Sequence, residues 1–514
     1  MSPRRTARAD PGAKLFQRLL GWSFLVAWGS LGAQVDVLVG SRGLLPASDF
    51  AAALSTRPDL SFFDVPTLFR FDASDAALHG GIVVGLGLAA LVALGIAPRL
   101  CLALGAVLYL SYAVVARSFL SFQWDNLLLE CGLLGALLST RGRTPWVLFL
   151  LRVLLFKLYF ESGLAKYQSA ISDWKDGSAM AYYYETAPIP TRLAWYAHHL
   201  PAAWHAFESR ATLAFELGVP FAMFLGRPGR LVSLAVFTGF QALNIATANY
   251  GFFSYLALVL GVTLLDARDL AWARARRHAL ARRIRSWRPE LGRRTRRAHA
   301  ELRLLRATLS RRFRLHARLG EDGETIAYIG RLTLAAGVTA IYLAASIEGA
   351  VDAFFPEAPH PDAFASVARA IAPFRVVNTY HLFGQITRER VEPTFETFDG
   401  ATWTSHDLRF KPGDPTRPPP LVAPHQPRVD FLLWFYGLGY DRGVPAYVRT
   451  LLQRLCTDPG AVQTLFTSAL PASPRAVRVA FLRYHFTTAE ERSRTGAWWT
   501  TEPVGTPRTM QCTR

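Results

Sequence analysis

Lys157 and Glu161 stand four residues apart in the apolar run LRVLLFKLYFESGLAKY. On a helix that spacing puts an ammonium and a carboxylate on one face, where each neutralises the other. Asp125 and Glu130 lie in SFQWDNLLLECG beside Gln123. Glu216 lies in LAFELGVPF, and Asn244 and Asn249 lie in QALNIATANYGFF. Asp125 and Glu130 are about 140° apart around a helix, so they need not share one partner. A lysine that sheds its charge in a dry pocket beside carboxylates is a general base. In that reading Lys157 takes a proton. The other reading is structural: paired charges and hydrogen bonds lock a helix bundle. Both readings require these groups to face an interior, because a charge left in lipid is costly; a third leaves them exposed to water at the membrane interface.

The elements that position them are hydrophobic spans. A span needs about 20 mainly apolar residues, and roughly 19–39, 77–97, 100–117, 120–138, 146–165, 211–226, 231–248, 252–266 and 328–347 are candidates. The basic loops test this count. Arg4, Arg5, Arg8, Lys14 and Arg18 precede the first span. Arg99, the pair Arg141 and Arg143, and the pair Arg227 and Arg230 fill alternate loops. Eighteen arginines from Arg268 to Arg318 separate the last two spans. With nine spans all of these fall on one side, which the positive-inside rule makes cytoplasmic. The opposite side receives Asp49, Asp59, Asp64, Asp72 and Asp75, the loop 166–210, and the chain after about 348. At those depths Lys157 is near the middle of the membrane, and the carboxylates and asparagines converge on the outer leaflet.

The expected fold class is therefore a polytopic α-helical membrane protein with a C-terminal α+β, mainly antiparallel β, soluble domain. Its parts are a multi-span domain over 1–265, an Arg-rich cytoplasmic loop with amphipathic helices over 266–327, a last span over 328–347, and an outer domain over 348–514. The hydrophobic content of 51% over 514 residues fits this. The net charge of +19 resides mainly in the Arg-rich loop, so it points to anionic lipid rather than nucleic acid.

Of the four cysteines, Cys101 and Cys131 fall in apolar runs. Cys456 and Cys512 lie in the outer domain and can pair in an oxidising space. No CxxC, GxxxxGK[ST], HExxH or GxSxG occurs, and no cofactor is expected. His198, His199 and His205 sit in WYAHHLPAAWHAF, which reads as one amphipathic interfacial helix rather than a metal site. FRVVNTYHLFG and PTFETFD read as antiparallel strands, Val429 to Leu455 as a helix, and Ala476 to Phe486 as a further strand.

These residues also carry a resemblance. SFQWDNLLLE, LRVLLFKLYFESGLAKYQS, DWKDGSAMAYYYETAPIP, FELGVPF and QALNIATANYGFFSYL resemble the lipase maturation factor family. So do NTYHLFGQITRERVEPTFETFDGATW and FKPGDPTRPPPLVAPHQPRVDFLLWF. The similar stretches cover most of 120–260 and 375–440. The resemblance implies an endoplasmic reticulum membrane protein that helps secreted lipases fold and assemble, with a lumenal C-terminal domain that handles clients. It also implies fewer spans than nine, so that some short ones are re-entrant or interfacial. Trp403, Arg417, Arg428, Asp430 and Trp434 are then the client-binding candidates. The absence of an N-x-[ST] sequon and a composition rich in Ala, Arg and Pro fit a bacterial member, in the inner membrane with a periplasmic outer domain. The family is distantly similar to vitamin K-dependent carboxylases, and that similarity implies the enzyme alternative, with Lys157 as the base and Glu161 and Glu216 organising the site.

Overall fold

The computed structural model describes residues 10–139, 142–287, 321–359 and 362–512. Its first helix, Pro11–Gly32, begins where Asp10 accepts the Gly12 N–H at 2.8 Å and Pro11 opens the first turn. It packs closely on the Asp75–Leu94 helix. Gly21 lies on the backbone of Ala93, and Gly85 lies under the Trp28 ring; a Cβ at either would collide. Trp28 in turn meets Tyr109 and Tyr112 of the Pro98–Val115 helix edge-on, at 5.2 and 5.3 Å. The Pro145–Tyr167 helix packs against Gln123–Leu137, Ala202–Ala222, Phe253–Gly261 and Glu321–Phe354.

Among the described residues, three helices are long and apolar enough to cross a membrane: Asp75–Leu94, Pro98–Val115 and Leu332–Phe354. Other expected spans take different forms. Gln123–Leu137 has 15 residues, about 22 Å of helix against a hydrocarbon core of about 30 Å. The stretch expected to span at 252–266 is the nine-residue helix Phe253–Gly261 followed by a 3-10 turn. The single helix expected over WYAHHLPAAWHAF is two, Arg192–His198 and Ala202–Ala222, because Pro201 ends one and precedes the other. Within the Arg-rich loop, Ala267–Trp287 is helical. The amphipathic helices expected at 288–320 lie outside the described residues.

The C-terminal part carries a four-stranded antiparallel sheet in the order β2-β1-β3-β4, with β1 Arg390–Phe398, β2 Trp403–His406, β3 Ala476–Phe486 and β4 Trp499–Gln511. Phe395 pairs with Val479 across the centre, and both are fully buried. The helix expected from Val429 to Leu455 is divided into Arg428–Leu438 and Ala446–Thr457. Gly439, Gly443 and Pro445 lie in the break. Gly437 lets the first of these helices rest on the Val391 carbonyl of β1, where no Cβ would fit. The second helix ends at a disulfide between Cys456 and Cys512, just beyond β4, with Cα atoms 5.3 Å apart. Cys101 and Cys131 are free and buried.

FRVVNTYHLFG, expected as a strand, is irregular. Its peptide N–H groups go to helix side chains instead: Tyr380 N to Glu161 Oε2 at 2.7 Å, His381 N to Gln123 Oε1 at 3.0 Å and Leu382 N to Ser162 Oγ at 3.3 Å. Those bonds satisfy the donors that a sheet ladder would otherwise use.

Candidate functional site

The polar residues of the helical region meet the C-terminal chain along one seam. Asp125, fully buried in the first turn of its helix, takes two bonds from Arg428, at 2.5 and 2.7 Å, and one from the Tyr109 hydroxyl at 2.6 Å. Arg428 also donates to the Phe119 carbonyl at 3.2 Å, and its guanidinium lies 6.0 Å from the centre of the Phe252 ring. A planar fork against a carboxylate is the geometry in which a buried arginine loses least.

Glu130 is the second junction. Oε1 accepts from Tyr342 at 2.5 Å and faces Lys157 Nζ at 3.5 Å; Oε2 accepts from Tyr380 at 2.7 Å and Asn378 at 3.0 Å. Lys157 donates to Ser346 at 3.1 Å and lies over the Tyr342 and Tyr380 rings. Four side chains from three separate chain segments therefore converge on one carboxylate. Glu216 is paired with Lys166 at 2.8 Å, and Lys166 also donates to the Leu382 carbonyl at 2.8 Å.

Asn249 clamps the proline-rich segment. Its Oδ1 accepts from Val422 N and Ala423 N at 2.7 and 2.9 Å, and its Nδ2 donates to Pro420 O at 2.9 Å. Asn244 stands apart from this seam and accepts from Tyr183 at 3.4 Å.

A second set of charges extends the seam to the sheet. Glu392 on β1 lies between Arg390 and Lys411, each 2.7 Å away and all three buried. Arg390 donates to the carbonyls of Glu185, Ala187 and Pro188 at 2.8, 2.5 and 3.0 Å, which ties the strand to the loop before Arg192–His198. Glu185 accepts from Phe486 N of β3 at 2.7 Å and faces His485 at 3.1 Å. His198 lies 3.9 Å from the same carboxylate, and burial pushes its imidazole below its ordinary value.

Burial raises the Asp430 carboxyl to about 6, against the Phe410 N–H it accepts at 3.1 Å and the nearby Lys411 charge. Its ordinary value is 3.8. Between the two values the folded chain holds a proton that the unfolded chain has released, so stability falls as pH rises through that window and the contribution is gone above about 6. Asp430→Asn keeps an acceptor for Phe410 N and carries no charge. The variant should melt with a flatter pH dependence from about pH 4 to 6 and higher than wild type at about pH 7. An unchanged slope in detergent melting curves would remove Asp430 as the cause.

Residues 12–272 match the family model described as the lipase maturation factor transmembrane domain, and residues 376–507 match the lipase maturation factor C-terminal domain. Lipase maturation factor 2 of Gallus gallus is 30% identical, covering 96% of this chain and 80% of its own length. The chain belongs to the lipase maturation factor family. Lipase maturation factor 2 of Homo sapiens is 29% identical over 95% of this chain and 80% of its own. Lipase maturation factor 1 of Bos taurus is 28% identical over 95% of this chain and 86% of its own. No solved structure matches significantly. Family membership and the apolar helices make this a membrane protein.

In this family member the seam also changes several residue roles. Lys157 does not form its ion pair with Glu161: its carboxylate partner is Glu130, and Glu161 is occupied by Tyr380 N. Glu216 belongs to Lys166, so Lys157, Glu161 and Glu216 do not form the arrangement expected of a base with two organising carboxylates. Arg428 and Asp430 are 1% and 3% exposed, too deep to meet a client. Arg417 donates to the carbonyls of Leu408 (2.8 Å) and Lys411, and Trp434 donates to Thr186 O at 2.8 Å. Trp403 is half-buried on β2, with Arg478 over its ring at 4.2 Å.

Sequence reasoning passed over Lys166, Tyr342, Tyr380, Arg390, Glu392 and Lys411. One signal was present: Arg390 and Glu392 are two apart in a strand, hence on one face. The partners of the others are far away in sequence, up to 250 residues in the Glu130–Tyr380 bond.

Proposed function

We propose that this chain is a multi-span maturation factor whose C-terminal domain, held on the outer ends of the helices, assists secreted client proteins, lipases among them. The N-terminus is cytoplasmic and the C-terminal domain lumenal, or periplasmic in a bacterium. The Arg-rich loop faces anionic lipid on the cytoplasmic side. The arginine distribution supports this topology, and the relatives' names support the client class.

The observation that carries the reading is the use of the buried polar side chains. Asp125, Glu130, Glu161 and Asn249 are all bonded to residues 378–428. They fasten the C-terminal domain to the helices, which leaves the outward side of that domain as the working surface. Trp403, at the β2 edge, is the client-binding candidate on that side.

The test is a complemented knockout that reports membrane-protein abundance, melting in detergent and yield of active secreted lipase. Asp125→Asn should lose lipase yield in step with folded protein. Trp403→Asp should lose yield while abundance and melting stay near wild type. A stable, abundant Lys157→Met variant with no lipase yield would overturn the reading and put the activity among the helices.

A further inference from the structure

A cavity of about 350 Å³ lies among the Pro145–Tyr167, Ala202–Ala222 and Gly226–Thr247 helices, with the seam residues Lys166, Glu216 and Leu382 in its wall. Its wall is aromatic and aliphatic, and Trp204, Phe207 and Leu243 rim it at 45%, 60% and 63% exposure. These apolar rim residues lie within the stretch that matches the family's transmembrane domain, which favours a lipid occupant over a water-soluble one. At the wall lies Gln241, 1% exposed. Its Nε2 donates to the Tyr159 hydroxyl at 3.1 Å, and its Oε1 has no hydrogen-bond partner. If the amide is turned over, the oxygen accepts from Tyr159 and the NH₂ is left over instead. In either orientation one polar end lacks a partner, which is costly at such a depth.

We infer that this cavity binds a single-chain lipid with a free hydroxyl, of the monoacylglycerol class, with its chain along the aromatic wall and its hydroxyl on Gln241. A hydroxyl both donates and accepts, so it satisfies the amide in either orientation. The volume lies at the small end of ligand sites, about 300–1,000 Å³, and is too small for both chains of a phospholipid. The ionisable groups of the wall do not call for an anionic head: Lys166 is already neutralised by Glu216, and Glu208 accepts from Tyr184 at 3.0 Å.

The full chain in phosphatidylcholine nanodiscs, labelled with a monoacylglycerol carrying a diazirine in its acyl chain, tests the inference. Crosslinks should concentrate on residues 202–222 and 226–247, and unlabelled monoacylglycerol should compete for them. The fatty acid methyl ester, which lacks the hydroxyl, should compete about tenfold less well, the loss of one good hydrogen bond. Gln241→Leu should erase that difference, and Ala211→Phe should block labelling by filling the cavity. If Ala211→Phe fails to fold, the Gln241→Leu comparison decides alone. Labelling spread evenly over the lipid-facing helices, or equal competition by the methyl ester in the wild type, overturns the inference. Neither outcome bears on client handling by the C-terminal domain.

Discussion

Replacing Arg428 with methionine should destabilise the protein by about 3–5 kcal/mol, because among the described residues it leaves the buried Asp125 with the Tyr109 hydroxyl as its one remaining hydrogen-bond donor. Asp125→Leu should cost a similar amount by stranding the guanidinium. The double variant should be no worse than either single one, since two apolar side chains then fill the space that two charges occupied. The cycle therefore separates a mutual pair from two independent contacts. Melting of the detergent-solubilised chain gives the four stabilities. Additive losses would show that Arg428 and Asp125 do not depend on each other. Losses under about 1 kcal/mol would place the pair in a wet, weakly coupled environment.

Glu392→Gln should be the most damaging change in the sheet. One carboxylate neutralises both Arg390 and Lys411 at 2.7 Å, and neither cation is exposed. Removing it should cost about 3–5 kcal/mol or more. The two cations differ in how they escape. An arginine does not deprotonate. Lys411 already has its ammonium pushed down to about 8 by burial, against the attraction of Glu392, from an ordinary 10.5. In the window between those values the unfolded chain binds more protons, so stability rises with pH. Without Glu392 the lower edge of that window moves down. The variant should then gain more stability than wild type on going from about pH 7 to 9. Equal gains would mean that Lys411 does not depend on Glu392. Lys411→Met in the Glu392→Gln background should recover part of the loss, because it removes one stranded cation.

The strand β4 illustrates a limit of pattern reading. WTTEPVGTPRTMQ has two prolines, and most of its side chains are exposed. It lies at the sheet edge, where proline is tolerated and one ladder suffices. Nothing in its hydrophobic pattern alternates, so only pairing with β3 reveals it. β3 was legible because AVRVAFLRYHF alternates and is buried on alternate positions for much of its length.

The sequence by itself determined the apolar helices, the asymmetric placement of arginine, the C-terminal sheet region and the presence of Asp125, Glu130, Lys157, Glu161 and Glu216 within apolar runs, where charges call for partners or water. Family resemblance was legible in the same stretches. Those properties depend on composition and short-range periodicity, which a linear chain displays directly. Only the tertiary structure decided who the partners are. The i,i+4 spacing suggested Lys157 with Glu161, yet Glu130, from another helix, took the lysine, and a peptide N–H from residue 380 took Glu161. Hydrogen bonds and ion pairs act over a few ångströms in space whatever the distance along the chain, so their pairing follows from how the helices and the C-terminal segment pack together.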